Sequence, residues 1–127
     1  VVKLEFCSDF RTDLIFGNEF ETELGRIFNN KNVECKDESR KWKETGNMFF
    51  EIESYNRDGG LKHTQSDYWA EKLSNDLIII IKTDKLKELL PKLYDKEWAT
   101  IIKGGDKNTS KGYLINTLRL INGLRGV

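Results

Sequence analysis

Glu34 and Lys36 stand one residue apart, and on a β-strand that spacing turns both side chains to the same face. A carboxylate beside an amine is suited to phosphodiester hydrolysis. The carboxylate helps hold a hard divalent cation, which keeps several waters and so needs only two or three converging acids. The cation lowers the pKa of an attacking water and offsets developing charge, while the lysine positions that water or stabilises the pentavalent state. Taken alone, Glu-x-Lys is weak: 33% of the residues are charged, so any exposed strand face generates it, and a solvated ion pair is the ordinary alternative. Its value depends on the surrounding elements.

From Phe16 to Phe28 the residues Phe16, Phe20, Leu24, Ile27 and Phe28 recur at helical spacing, with Gly17-Asn18 permitting the turn into a first helix. Asn29-Asn30-Lys31-Asn32 is a turn composition. The strand Val33-Glu34-Cys35-Lys36 follows, Val33 and Cys35 facing one way and packing inward, Glu34 and Lys36 facing the other. A polar loop from Asp37 to Thr45 leads into a second strand, Met48 to Tyr55, expected to pair with the first. Thr64 or Ser66 can cap a second helix through Asp67–Leu73, in which Tyr68, Trp69 and Leu73 form a core face. Asp76 to Lys82 reads as a strand covered on both faces, and Thr83 starts an amphipathic helix to Tyr94 that Pro91 should kink or end. Glu97–Lys103 and Tyr113–Ile115 form a hairpin about Gly104–Asn108, residues 1 to 7 suit a short strand, and Leu118–Leu124 fits helix or strand equally. This order predicts an α/β fold, a mixed sheet flanked by helices.

The 127 residues suit one domain with its own hydrophobic core. The 21 basic and 21 acidic residues cancel, which excludes a global field drawing the chain onto nucleic acid, so any such contact must be local. Cys7 and Cys35 are too few and isolated for a disulfide framework or zinc site, which fits a reducing cytoplasm. The longest apolar run, Leu77 to Ile81, falls far short of the roughly 20 residues that cross a bilayer, and there is no signal pattern at the N-terminus. Neither membrane insertion nor export is expected.

Several motifs then combine. Phe16-Gly17 and a glutamate on the first helix precede Val33-Glu34-Cys35-Lys36. Thr45-Gly46-Asn47 opens a strand ending in Glu51 and Glu53, Thr64-Gln65-Ser66-Asp67-Tyr68-Trp69 follows, and Gly104-Gly105-Asp106-Lys107-Asn108-Thr109-Ser110-Lys111-Gly112-Tyr113-Leu114-Ile115 comes late. Over most of residues 13 to 115 this series resembles a family of small phage-encoded proteins of the PD-(D/E)XK nuclease superfamily, which is restriction-endonuclease-like and includes Holliday-junction resolvases. Ser66 stands where that family usually has alanine, and Asn56-Arg57-Asp58-Gly59-Gly60 differs from its usual loop. The resemblance implies a metal-dependent DNA endonuclease using Mg2+ or Mn2+, acting in the cytoplasm of an infected host cell. It also implies DNA as partner and, from the superfamily's habit of cutting two strands, a homodimer. The alternative is a nuclease-like fold without catalysis that binds nucleic acid or protein.

The superfamily's first metal-binding aspartate normally lies some way before the Glu-x-Lys strand, and here no acid occupies positions 24 to 33. On a helix turning about 100° per residue, Glu21 falls at the margin of the apolar stripe. Gly17-x-x-x-Glu21 also resembles the start of Holliday-junction resolvases, so Glu21 is the preferred helix ligand, ahead of Glu23 and the more outward Glu19. Glu51 is a further substitute for the aspartate, against the ordinary reading that Glu51 and Glu53 merely alternate outward from Phe50 and Ile52. The expected catalytic set is therefore Glu34, Lys36, Glu21 and Glu51, with Glu21, Glu34 and Glu51 on the metal. Arg40, Lys41, Lys43 and Lys62 are candidates for gripping phosphates, set against a plain solvated loop. His63, the only histidine, reads as a surface residue.

Overall fold

The computed structural model describes residues 10–29, 32–104 and 108–126. The expected N-terminal strand, Cys7 and the tip of the late hairpin lie outside them. The chain divides into two compact units, 1–31 and 32–127. The first carries one helix, α1 (Phe10–Asn29), which extends the predicted helix at its start. Arg26 in its last turn suits the negative end of the helix dipole. Phe20 and Phe28, assigned to the apolar stripe, are exposed.

The second unit is α/β. Its elements run β1 (Val33–Asp37), α2 (Ser39–Thr45), β2 (Asn47–Ser54), β3 (Arg57–Asp58), α3 (Gly60–His63), β4 (Tyr68–Ser74), β5 (Leu77–Lys82), α4 (Thr83–Asp95), β6 (Ala99–Gly104), β7 (Ser110–Asn116) and α5 (Thr117–Leu124). A mixed three-stranded sheet has the order β1-β4-β5, with β1 parallel to β4 and β4 antiparallel to β5. An antiparallel four-stranded sheet has the order β3-β2-β7-β6. Trp69 of the first sheet meets Phe50 of the second, their ring centroids 6.0 Å apart. Met48, Leu73, Leu86, Leu90, Ile115 and Leu120 complete the buried centre.

The expected pairing of β1 with β2 does not occur, because the supposed polar loop between them is a helix. Asp37 starts it: the backbone N–H of Ser39 donates to Asp37 Oδ1 at 2.9 Å, and the Ser39 hydroxyl donates to the same oxygen. Gly46, at φ 69°, ends it in the left-handed region, its N–H bonded to the Trp42 carbonyl. One apolar residue in seven gives no periodic signal, yet Trp42 packs against the core. Its indole N–H donates to Thr117 Oγ1 at 2.8 Å, and that hydroxyl donates to the Gly46 carbonyl at 2.8 Å. Trp42→Phe keeps the ring packing and removes the first bond. It should lower unfolding free energy by about 1 kcal/mol, read from the urea midpoint.

The expected second helix over Asp67–Leu73 is instead strand β4. Trp69, Glu71 and Leu73 are buried while Tyr68, Ala70 and Lys72 are partly open, a period of two. Thr64 and Ser66 cap no helix there; their hydroxyls bond each other, and that of Ser66 bonds Thr83 Oγ1. Strand β5 is not covered on both faces: Ile78 and Ile80 are exposed and Ile81 is buried. Helix α4 buries Leu86, Leu89, Leu90 and Leu93 as expected, and continues past Pro91 to Asp95 rather than ending early. The hairpin is β6–β7. The ambiguous tail is helix α5, capped by the Asn116 side chain, which accepts from the Leu118 N–H at 2.9 Å.

Candidate active site

Strand β1 places Glu34 and Lys36 on one side, as its alternation requires. Lys36 Nζ lies 3.4 Å from Glu34 Oε1, with both side chains a little over a third exposed. The ammonium also sits 5.8 Å from the centroid of Trp69, within cation–π range. The parallel register with β4 sets Glu34 opposite Trp69 and Lys36 opposite Glu71. Cys35, expected to pack inward, is exposed. It pairs with Ala70, and Ala70 with the exposed Ile80, so it belongs to the outer face of the sheet.

Lys36, Glu38, Arg40, Lys41 and Glu51 share a cleft of about 670 Å3 that also touches Trp69. β1 delivers the lysine, the turn into α2 delivers Glu38, α2 itself the other two cations, and β2 delivers Glu51. The register of β2 on β7 shifts between Glu51 and Glu53, and such bulges re-aim side chains. Accordingly Glu51 lines the Lys36 cleft, whereas Glu53 lies 3.7 Å from Lys111 at a separate surface pocket.

Gly60, at φ +48°, lets α3 lie against β2 at this point. A Cβ there would meet the carbonyl carbon and Cβ of Glu51 at 2.8 Å. Gly60→Ala should therefore cost roughly 1–3 kcal/mol from backbone strain alone, with a further loss from the collision. Its denaturation midpoint should fall more than that of Gly25→Ala, where a Cβ meets nothing within 4 Å.

Of the residues predicted from sequence, the structure brings Lys36, Glu51, Arg40 and Lys41 to one cleft, with Glu34 paired to Lys36. Lys43 lines another surface hollow beside Leu73 and Ser74. Lys62 is exposed on α3 and is not part of the cleft lining. His63 is exposed, as expected. Glu21 is an exposed residue of α1, in the other unit.

Two acids were not foreseen. Glu71 is fully buried; the Trp69 indole N–H donates to its Oε1 at 2.9 Å, and Oε2 has no hydrogen-bond partner. Burial pushes this carboxyl up to about 8; the Trp69 bond pulls it down, the nearby Glu38 charge adds to the rise, and Lys36 opposes it. Glu38 is also raised, chiefly by burial, with Lys41 opposing, Asp37 adding and Lys36 opposing. Asp37 is lowered by its two bonds from Ser39. The alternation of Trp69, Glu71 and Leu73 was the available signal for Glu71. Treating Asp37 onward as loop hid Glu38.

Among the described residues no three acids, histidines or cysteines form a ready-made metal group. A magnesium ion bound through one or two carboxylates and several waters asks for less. Glu38 and Glu51, which line the cleft with Lys36, and Glu34, which pairs with that lysine, suit such an ion in donor type. No family model, curated protein or solved structure matches this chain.

Proposed function

We propose that this chain is a divalent-metal-dependent DNA nuclease with a restriction-endonuclease-like fold of the PD-(D/E)XK kind. The observation that carries the reading is that β1 and β2, strands of two different sheets, supply Lys36 and Glu51 to one cleft already bordered by Arg40 and Lys41. Two cations are placed to hold phosphate oxygens, which fixes a backbone without reading its sequence. Lys36 orients the attacking water and steadies charge on the phosphorus oxygens. Glu34 and Glu51 are carboxylates able to hold Mg2+ or Mn2+. Such a cation, when bound, supplies a more acidic water and charge neutralisation.

The test is incubation of the purified chain with supercoiled, linear, single-stranded and four-way-junction DNA, in manganese and in chelator. Cleavage of at least one form in manganese and of none in chelator is expected. Binding without cleavage of any form would replace this reading with that of a nuclease-like module that only holds nucleic acid.

A further inference from the structure

Tyr55 stands where neither burial nor backbone preference calls for an aromatic residue. It is 74% exposed, and its φ of 52° lies in the left-handed region, where a bulky side chain is an outlier. The turn it begins, between β2 and β3, continues through Asn56 at φ 62°. Asparagine and glycine suit such a turn and tyrosine does not. Both residues line a surface hollow of about 290 Å3, and so does Asn108 at φ 54°. Among the described residues, three of the four non-glycine positions with positive φ therefore border one hollow. Backbone strain gathered in one place is characteristic of ligand clamps.

The charges of the hollow favour an anion. Lys103 and Lys111 stand directly opposite each other in the β6–β7 register, both exposed, an arrangement that repels. Glu53, on the other side of Lys111, lies 3.7 Å from its ammonium and offsets only part of that charge. Ser110 lines both this hollow and the cleft that holds Lys36 and Glu51, so the two adjoin. A strand whose phosphates meet Arg40 and Lys41 in the cleft has a continuation past Ser110 toward Tyr55.

We propose that this hollow holds an unpaired nucleotide of the substrate strand, its base stacked on the Tyr55 ring and its phosphate against Lys103 and Lys111. The proposal rests on reading the cleft as a nuclease centre and names its substrate class: DNA with a single-stranded segment beside the bond to be cut. A base within a duplex is already covered by its neighbours, so only an unpaired base can cover an exposed ring. Such stacking accepts any base, since each has a π-face.

The experiment is fluorescence anisotropy in chelator with two labelled DNAs, a blunt duplex and the same duplex carrying an oligothymidine overhang of either polarity. The full-length proteins compared are wild type, Tyr55→Phe, Tyr55→Asn, Lys103→Ala and Leu118→Ala, the last removing an exposed apolar side chain on α5. Wild type, Tyr55→Phe and Leu118→Ala should bind the overhang of the better polarity about tenfold more tightly than the blunt duplex, as one stacked base provides. Tyr55→Asn should bind both DNAs alike with unchanged blunt-duplex affinity, and Lys103→Ala should bind the overhang severalfold more weakly. Asparagine accepts the left-handed backbone, so Tyr55→Asn should melt at or above the wild-type temperature, whereas a merely structural tyrosine would lower it. A Tyr55→Asn protein that keeps the overhang preference overturns the inference, as does a wild type without one. Cleavage in manganese separates the two readings. Wild type that cleaves DNA while Tyr55→Asn keeps the preference removes the Tyr55 subsite and leaves the nuclease. A preference lost in Tyr55→Asn, in a wild type that cleaves nothing, does the reverse.

Discussion

Glu71→Gln will be more stable than wild type at pH 8 in metal-free buffer and close to it at pH 4. The Glu71 carboxyl is raised from an ordinary 4.5 to about 8 in the folded protein, first by burial, with Glu38 adding and Trp69 and Lys36 opposing. Below about 4.5 the folded and unfolded chains are both protonated, and the buried group costs nothing in charge. Between there and about 8 the folded chain holds a proton that the unfolded chain releases, so stability falls as pH rises. Above about 8 the loss is complete. At about 1.4 kcal/mol for each tenfold difference in proton affinity, and allowing for relaxation around the charge, wild type should lose a few kcal/mol across this window. The glutamine variant lacks that slope. Urea denaturation at pH 4, 6 and 8 with chelator present measures it, and parallel stability curves for the two proteins would contradict the assignment.

Lys36→Ala should reduce the single-turnover rate of cleavage by roughly 10²–10³, the usual consequence of removing one preorganised group that meets developing charge. DNA affinity should hardly change. The lost contact with Glu34 is a partly exposed pair, worth under about 1 kcal/mol of stability, so unfolding does not explain a fall of that size. Arg40→Ala and Lys41→Ala should behave in the opposite sense. Each should weaken DNA binding on all sequences alike and reduce the salt dependence of affinity by about one unit in the log–log slope, with the rate at saturation near wild type. A Lys36→Ala protein that loses affinity but cleaves normally once bound would move the lysine from chemistry to grip.

Local alternation made β1, β2, β7 and the leucine face of α4 legible from the sequence. These elements differ plainly from their neighbours in apolar period. Pairing was not legible, because it depended on a helix seven residues long whose single apolar side chain, Trp42, reaches across to Thr117. β4 was misread for a more instructive reason. Trp69 and Leu73, four apart, share a face in either helix or strand, so the choice falls to Tyr68, which a helix would add to that face, and Glu71, which a strand adds to it. A strand buries that carboxylate at considerable cost and a helix would leave it on the flank, so the cheaper choice was the wrong one. The point where local economy failed is Glu71, buried with one oxygen unfilled and opposite Lys36 in the β1–β4 register. At the site, residue type and spacing singled out Lys36, Glu51, Arg40 and Lys41, which the structure brings to one cleft. The bulge that separates Glu51 from Glu53 carries no sequence mark, and Glu38 was concealed within a segment taken for loop.

The central claim is that Lys36 and Glu51, from separate sheets, act on one phosphodiester. Single-turnover cleavage by wild type, Lys36→Ala, Glu51→Gln and the double variant, in manganese at saturating protein, tests it directly. Residues serving one reaction centre are strongly non-additive, so each single change should be severe and the double variant little slower than the worse of the two. A Glu51→Gln protein that cleaves at the wild-type rate, or two losses that simply multiply, would mean that the two side chains share a cleft and not a reaction.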